Sequence, residues 1–432
     1  MAYLDPEIGF TADVIRDPQR FVGRTDLLTE SIKALNAATG LITVYGKRGV
    51  GKSSMLRQLQ RMATGDYTLA KQAGLHHLIP PKPRSYLTVF YTCDSLIQNA
   101  TDLVSRLCND QSEEDSLLRL VPNDGKEIVE FSRSKEAHLG TDLKVAQWGS
   151  RGIEKSKYAK TIPGDPVQTF RNYIQAAVVH QVQKRMKRNA ILIMLDEFDV
   201  IVDKTGIGSL IKSLTCPEIK FAVCGVGKDI ADLISDHASV ERLVEQGALP
   251  MQPMPKSESR EIVYRAEQLF EGRLKFGFSV VDEITELGQG FPYLIQLIGK
   301  QCVAKANERG ATLVGSDILA AVKDDIAAGK AFPTLEQAYQ IAIGDSEGRQ
   351  LLLHLLAEQK TEQAMFTDEI GRVVLRKSRR VAEELDIQFI DQLIPRLVDK
   401  KYGPVLERTA EKKGTYEFVN PVLRQYICLR KL

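Results

Sequence analysis

The first 250 residues alternate between short apolar runs and longer stretches in which apolar residues recur at helical spacing. Mostly apolar runs of strand length are typical of strands that are buried on both faces of a parallel sheet. Such runs lie at residues 41–45, 86–94, 190–195 and 219–227. The intervening stretches, residues 52–63 among them, favour amphipathic helices. Strands that alternate with helices predict an α/β domain whose parallel sheet is covered by helices on both faces.

The pattern becomes almost entirely helical after about residue 255, and it ends in a mixed unit. In that last unit three predicted helices precede two strands, which are joined by a Lys-Lys-Gly turn at 412–414, and a closing helix. Helices followed by such a strand pair are the order of a winged helix-turn-helix. We therefore predict an α/β domain at residues 1–252, a helical lid domain at 253–331 and a winged-helix domain at 332–432.

Residues 110–165 interrupt the alternating pattern with polar runs and brief segments of period two. This interval predicts an insertion within the first domain, with a β-hairpin at about 140–158. The hairpin would carry Trp148, the single tryptophan of the chain, either over a small core or as a contact for a partner.

Composition narrows the class of protein. The 432 residues carry a net charge of +2, so no global field commits the chain to nucleic acid or to a membrane. No apolar run reaches the length of a membrane span, and the first ten residues lack the basic start and apolar core of a secretory signal. Six cysteines without a C-x-x-C pair are typical of a reducing cytosol. We expect a cytoplasmic protein without a membrane partner.

The apolar run at 41–45 leads into the octapeptide GKRGVGKS, and the predicted helix at 52–63 follows it. This is the G-x-x-x-x-G-K-[ST] phosphate loop in its required context of strand and helix. Its glycines let the backbone approach a polyphosphate, and the freed N–H groups and the helix N-terminus attract the anion. Lys52 can reach the β- and γ-phosphates, and the Ser53 hydroxyl can hold Mg²⁺. The predicted nucleotide-binding residues of the loop are Gly46, Lys47, Arg48, Gly49, Val50, Gly51, Lys52, Ser53 and Ser54.

A second group of polar residues, the sequence DEFD, follows the apolar run at 190–195. Asp196 ends the strand, where its carboxylate can hold the Mg²⁺ coordination shell, and Glu197 can polarise the attacking water. Asp199 either assists them or caps the following turn. The chain contains no Asn-Lys-x-Asp loop of the kind that reads guanine in small GTPases, so ATP is favoured over GTP. These residues predict Mg²⁺-dependent hydrolysis of ATP, with Lys52 and Glu197 as catalytic residues.

Two further segments carry a resemblance to a known family. FVGR, at residues 21–24, is similar to a box that packs beside adenine in AAA+ and STAND-type ATPases. Residues 288–299 are similar to the G-x-P segment of STAND ATPases, whose proline approaches the nucleotide from the lid. With the phosphate loop and DEFD, the chain resembles STAND/AAA+ ATPases, including replication-initiator and transposition ATPases, over most of its length outside about 100–165. The resemblance adds Val22, Gly23, Arg24 and Pro292 to the predicted nucleotide-binding residues.

The resemblance also implies an arginine that reaches the γ-phosphate of a neighbouring subunit. Arg242 is the candidate, and a local ion pair with Glu241 or Glu245 is the alternative. A polar sensor residue is expected after IKFAVC, but the sequence continues with Gly-Val-Gly, so that Lys228 or Asp229 serves instead or the sensor is absent. Without an assignable sensor arginine in the lid, we expect slow hydrolysis, which suits a switch more than a motor.

Two functions remain open at this point. The first is a switch in which ATP controls self-assembly or engagement of a protein partner, as in a bacterial signalling or defence system. The second is a DNA-binding ATPase whose winged helix contacts double-stranded DNA. Residues 372–380 favour the second, because they hold five basic residues and no acid. The balance of 16 Lys and Arg against 15 Asp and Glu over residues 336–432 makes the electrostatic attraction to DNA weak.

Overall fold

The computed structural model describes residues 3–110, 117, 166–178, 182, 187–234, 237–245, 247–359, 365–366, 368–384, 393–408 and 416–431. They form two compact units. The α/β unit comprises Arg24–Gly46 and Lys52–Met251, and the helical unit comprises Met1–Gly23, Lys47–Gly51 and Gln252–Leu432. The predicted hairpin with Trp148 and the predicted turn at 412–414 lie outside the described residues.

The α/β unit is built on a sheet of five parallel strands, as the apolar runs predict. The strands are β1 (Leu41–Gly46), β2 (Tyr86–Thr92), β3 (Ala190–Asp196), β4 (Ile219–Val226) and β5 (Ala248–Met251), in the order β2-β3-β4-β1-β5. The sequence pattern does not predict β5, which has four residues and includes Pro250. Its position at the edge of the sheet explains the proline, which cannot donate a hydrogen bond in a central strand.

Helices cover both faces of this sheet. They are α2 (Thr25–Asn36), α3 (Lys52–Ala63), α4 (Thr68–Gln72), α5 (Ala100–Asn109), α6 (Pro166–Ala177), α7 (Ile207–Leu214), α8 (Ile230–Leu233) and α9 (His237–Val244). Side chains alternate between faces along each strand. One set, which includes Val89, Ile193 and Val223, packs with α5, α6, α7 and α9 in a single apolar core. The other face receives α3, which packs on β1, β2, β3 and β4.

A charged side chain is buried on the face that carries α3. Lys220, in β4, is 1% exposed, and its Nζ donates hydrogen bonds to the carbonyl oxygens of Ala34 at 2.6 Å and Ala37 at 2.8 Å. These are carbonyl groups at the C-terminus of α2, where a helix lacks internal donors and favours a cation. Burial, with a smaller contribution from the charge of Arg84, lowers the pKa of Lys220 to about 8.

The helical unit begins with the N-terminal segment and continues after β5. Its first part contains α1 (Pro6–Gly9), α10 (Lys256–Leu269), α11 (Phe278–Gly288), α12 (Pro292–Arg309), α13 (Ser316–Ala327) and a two-stranded parallel sheet of β6 (Lys275–Phe276) and β7 (Leu313–Val314). Helix α1 packs against α10 and α12, and Phe10 lies with its ring centroid 5.7 Å from that of Phe276. The N-terminal residues therefore pack with the predicted lid, whereas the predicted boundaries grouped them with the α/β domain.

In its described residues, the C-terminal part of the helical unit combines five helices with a small antiparallel sheet. The helices are α14 (Pro333–Ile343), α15 (Glu347–Ala357), α16 (Asp368–Glu384), α17 (Leu393–Val398) and α18 (Pro421–Leu429). The strands are β8 (Met365–Phe366), β9 (Leu406–Arg408) and β10 (Tyr416–Phe418), in the order β8-β10-β9. Strands β9 and β10 lie where the sequence predicts a strand pair, and β8 was not predicted.

The core of this C-terminal part contains a buried histidine. The Tyr339 hydroxyl and His354 Nε2 share a hydrogen bond of 2.8 Å, and both side chains are buried. Burial, together with the charge of Arg430, lowers the pKa of His354 to about 4, so the ring is neutral at neutral pH. None of the helices in the described part of the chain combines the length and the apolar character needed to cross a bilayer.

Candidate nucleotide-binding site

The phosphate loop lies between the last residue of β1 and the first residue of α3. Gly46 closes the strand and Lys52 opens the helix, so the loop has the predicted strand–loop–helix context. The three loop glycines have φ angles of 153° at Gly46, 81° at Gly49 and 94° at Gly51. L-residues with a side chain rarely adopt such angles, which is the physical reason for glycine here. Among the described residues, no atom lies within 4 Å of the position that a Cβ of Gly51 would take.

The carboxylates of DEFD lie at the end of β3, on the same edge of the sheet as the phosphate loop. Asp196 is the last residue of β3 and is 6% exposed. The Glu197 backbone N–H donates to Asp196 Oδ1 at 2.9 Å. Glu197 itself has the left-handed backbone conformation, with φ 51° and ψ 36°. The chain therefore turns sharply after Asp196, and the two neighbouring carboxylates leave the backbone in different directions.

A cysteine that the sequence analysis does not single out links the two motifs. Cys224 lies in β4, the strand between β1 and β3, and is fully buried. Its side chain is hydrogen-bonded to that of Asp196. Burial and the charge of Asp196 raise the pKa of this thiol far above its ordinary value, while the charge of Lys52 acts to lower it. Lys52 and Asp196 thus both act on one thiol. The strand order, which brings β4 between the motifs, is the signal that would have identified it.

Within the helical unit, the tip of the phosphate loop is in contact with the predicted lid. Gly290 has a φ of 76°, and its carbonyl oxygen accepts a hydrogen bond of 2.7 Å from the Met254 N–H. Pro292 is then the first residue of α12, a position at which proline fits the helix without loss of a hydrogen bond. The next amide, that of Tyr293, donates a long hydrogen bond of 3.4 Å to the Gly49 carbonyl oxygen. The start of α12 therefore lies beside the phosphate loop.

Residues of the C-terminal part of the same unit also meet the loop tip. Lys47 Nζ lies 3.3 Å from Glu417 Oε2, and the Glu417 side chain is only 2% exposed. A Cβ built on Gly49 would lie 2.5 Å from Cγ2 of Val422, so the glycine permits this close approach. The Lys47–Glu417 ion pair and the Gly49–Val422 contact have no signal in the sequence, because the partners lie 370 or more positions apart.

Residues 9–295 match the model of a protein family described as Novel STAND NTPase 1. This chain belongs to that family. The match spans the α/β unit and reaches the start of α12, so it includes the phosphate loop, DEFD, and Gly290 and Pro292 of the G-x-P segment. It confirms the predicted STAND class and, with the observed parallel sheet, the α/β nucleotide-binding fold. The chain is accordingly a nucleoside triphosphatase of the STAND class.

The chain is also similar to solved structures along nearly its whole length. Cdc6p from Pyrobaculum aerophilum is 13% identical, with 99% of this chain and 97% of that chain covered and a TM-score of 0.43. The Aeropyrum pernix ORC1 protein, solved in complex with DNA, is 11% identical over 97% and 93% of the two chains, with a TM-score of 0.42. The Thermotoga maritima RuvB Holliday junction branch migration motor is 12% identical over 93% and 96%, with a TM-score of 0.40. No curated protein matches the chain.

The remaining predicted site residues of this STAND NTPase occupy distinct positions. Gly23 has a φ of 66°, and a Cβ there would lie 2.6 Å from Glu258 Oε2, within the helical unit. Arg24 caps the N-terminus of α2 in a left-handed conformation and is 7% exposed. Arg242 lies in α9 with an exposed side chain. Among the other predicted residues, Val50 is buried and Arg48 is exposed, while Val22, Lys47, Ser53 and Ser54 are half-buried.

The donor atoms at the sheet edge fit a magnesium ion. Mg²⁺ prefers oxygen ligands and is usually held by one or two protein groups together with substrate phosphates. Ser53, in the first turn of α3, offers a hydroxyl, and Asp196 offers a carboxylate. Both belong to the α/β unit.

Proposed function

We propose that this STAND NTPase binds ATP with Mg²⁺, hydrolyses it slowly, and uses the nucleotide to control assembly or engagement of a partner. The observation that carries this proposal is the shared sheet edge. Strand β1 delivers the phosphate loop there, and β3, separated from it only by β4, delivers Asp196 and Glu197. A ligand is expected at the carboxyl ends of the strands of such a sheet.

Each residue at this edge has a separate role in phosphoryl transfer. The loop amides and Lys52 bind the phosphate oxygens and neutralise charge that develops on the transferred group. Ser53 and Asp196 are the protein ligands of Mg²⁺, which supplies electrostatic stabilisation of the phosphates when it is bound. Glu197 orients the attacking water and accepts its proton. Val22, Gly23, Arg24 and Pro292 complete the nucleotide site on its adenine and lid sides.

The contacts at the loop tip support a switch. Lys47 is paired with Glu417, and Gly49 contacts Val422 and lies beside Tyr293, so one loop contacts both the lid and the C-terminal part of the helical unit. Phosphate binding requires the backbone of this same loop. We therefore propose that nucleotide binding is coupled to the Lys47–Glu417 ion pair. In this proposal ATP weakens the ion pair and reorients a C-terminal winged-helix domain for self-assembly or partner binding. Arg242, exposed in α9, would then reach the γ-phosphate of a neighbouring copy.

The first test is steady-state ATP hydrolysis by the purified protein, with its mass in solution measured with and without ATP and Mg²⁺. We expect slow turnover that needs Mg²⁺ and a rise in mass with ATP. Lys52→Ala should lose nucleotide binding, while Lys71→Ala, which removes an exposed lysine of α4, should change neither property. Turnover in the Lys52→Ala protein equal to that of the wild type would contradict the assignment of the site.

A second function, DNA binding by the C-terminal domain, is favoured by one observation. Helix α16 exposes four basic side chains, those of Arg376, Lys377, Arg379 and Arg380. Lys and Arg on one surface neutralise backbone phosphates, and the resulting affinity falls steeply with salt. DNA-stimulated hydrolysis with such a salt dependence would support this function, and turnover that is indifferent to DNA would support the partner-controlled switch.

We further propose that the protein works in the cytoplasm. All six cysteines have free thiols, among them the fully buried Cys224 and Cys302. Thiols persist in a reducing compartment.

A further inference from the structure

The turn that follows β3 holds Glu197 in an unusual backbone conformation. Glu197 is left-handed, and Phe198–Val200 form a single turn of 3-10 helix after it. Phe198 is fully buried in the apolar core of the α/β unit. Residues other than glycine rarely adopt the left-handed conformation unless their surroundings hold them in it. The contacts of this turn therefore determine where the Glu197 carboxylate points.

Asp199 attaches the turn to the end of the neighbouring strand. Its Oδ1 accepts a hydrogen bond of 2.8 Å from the backbone N–H of Val226, the last residue of β4. Val226 is in turn the register partner of Gly46, with which the phosphate loop begins. One carboxylate thus connects the turn that carries Glu197 to the strand end that lies beside the phosphate loop.

Gly225 makes room for this connection. A Cβ at Gly225 would lie 2.7 Å from Asp199 Oδ1 and 3.0 Å from the Asp199 backbone nitrogen. The same Cβ would lie 2.6 Å from Leu233 Cδ1, so an alanine at this position would press on both Asp199 and Leu233. Gly225 directly follows the segment after which a polar sensor residue is expected.

We propose that Asp199 is a positioning residue, which clamps the turn to Val226 and so holds Glu197 where it can orient the water that attacks the nucleotide. The proposal rests on the ATP hydrolysis proposed above. Asp199 acts through its hydrogen-bond acceptor and not through its charge, and it is not a ligand of Mg²⁺. An asparagine, whose side-chain oxygen also accepts a hydrogen bond, should therefore replace it, whereas an alanine should not.

The test compares Asp199→Asn, Asp199→Ala and Gly225→Ala in the full chain by ATP affinity, KM and kcat. Because a displacement of about 1 Å at a catalytic group can cost on the order of a hundredfold, we expect Asp199→Ala and Gly225→Ala to lose tenfold or more in kcat. KM and ATP affinity should stay near wild-type values, and Asp199→Asn should keep kcat within about threefold. Asp203→Ala is the matched control, because Asp203 Oδ1 accepts a backbone hydrogen bond of 2.9 Å from Thr205 within its own loop.

Two kinetic results would overturn the proposal. If Asp199→Asn loses as much kcat as Asp199→Ala, the charge itself is used and Asp199 acts directly. If Asp199→Ala retains wild-type kcat, the hydrogen bond to Val226 positions nothing.

Hydrogen exchange of the Val226 amide separates the clamp from the proposed function. The amide should be protected in the wild type and in Asp199→Asn, and it should exchange faster in Asp199→Ala. A wild-type protein that does not hydrolyse ATP would refute the proposed function of the site. The exchange data would then still show whether the Asp199 side chain holds the turn to Val226. An equally protected amide in Asp199→Ala would overturn the clamp.

Discussion

The buried Lys220 makes a quantitative prediction about stability and pH. Its pKa is about 8 in the folded protein, against an ordinary value of 10.5. The folded protein thus releases this proton at lower pH than the unfolded chain, so the unfolded chain binds more protons between pH 8 and pH 10.5. Stability contributed by this group must therefore rise with pH in that window. Below pH 8 the full cost of burying the charge is present.

The magnitude follows from the shift in pKa. A difference of 2.5 between the two states corresponds to about 3 kcal/mol in the free energy of unfolding, at 1.36 kcal/mol for each pKa unit. Between pH 7.5 and pH 9.5 the gain is about 2 kcal/mol, because part of the titration lies outside that range. The hydrogen bonds to Ala34 and Ala37 persist, since a neutral amine still has two N–H donors.

The assay is native-state hydrogen exchange of β1, which is paired with β4, in the wild type and in Lys220→Met. The variant cannot titrate at this position, and comparison at equal pH cancels the base catalysis of exchange. Protection in the wild type should increase with pH relative to the variant by about 2 kcal/mol between pH 7.5 and pH 9.5. The variant also loses the donor to two carbonyl groups, but that cost does not depend on pH. Parallel pH dependences in the two proteins would refute the reasoning.

Three further predictions concern the site and the C-terminal part. Glu197→Gln should bind ATP but accumulate in the bound state, as measured by single-turnover kinetics; full turnover would sink its assigned role. The pKa of His354 is about 4 in the folded protein against an ordinary value of 6.5, so the unfolded chain takes up this proton first as the pH falls. The free energy of unfolding should therefore decrease by about 2 kcal/mol between pH 7 and pH 5. Thermal melting of the wild type and of His354→Gln at pH 7 and pH 5 checks this. The variant should lack the loss of stability that titration of His354 causes between these pH values. Glu417→Gln should speed nucleotide exchange about fivefold by weakening the pair with Lys47, and Lys47→Gln should match it without adding to it in the double variant. Additive effects would show that the pair is not the coupling element.

Local patterns were enough to place the nucleotide-binding elements. The apolar runs predict β1 to β4 because strands buried on both faces need continuous apolar sequence. The loop glycines identify the phosphate loop because its backbone needs positive φ angles, which the structure has at Gly46, Gly49 and Gly51. Asp196 could be placed at a strand end because it follows the apolar run directly. Each of these inferences depends on residues close together in the chain.

Pairings between distant residues were decided by the tertiary structure alone. The short strand β5, the packing of Phe10 beside Phe276 and the hydrogen bond from Cys224 to Asp196 leave no periodic trace in the sequence. From the sequence, Asp199 is either an assistant of Glu197 or a cap of the following turn, and only the structure shows that its carboxylate accepts a hydrogen bond from the Val226 amide.

The sequence by itself thus determined which class of nucleotide-binding fold forms and which residues can meet phosphate and metal. Periodicity and backbone conformational preference are local properties, so they can be inferred from neighbouring residues. Only the tertiary structure decided what holds those residues in place, as with Glu417 beside Lys47 and Val226 beside Asp199. Those contacts depend on strand order and on packing between segments far apart in the chain, where many partners are chemically equivalent and only the fold selects among them.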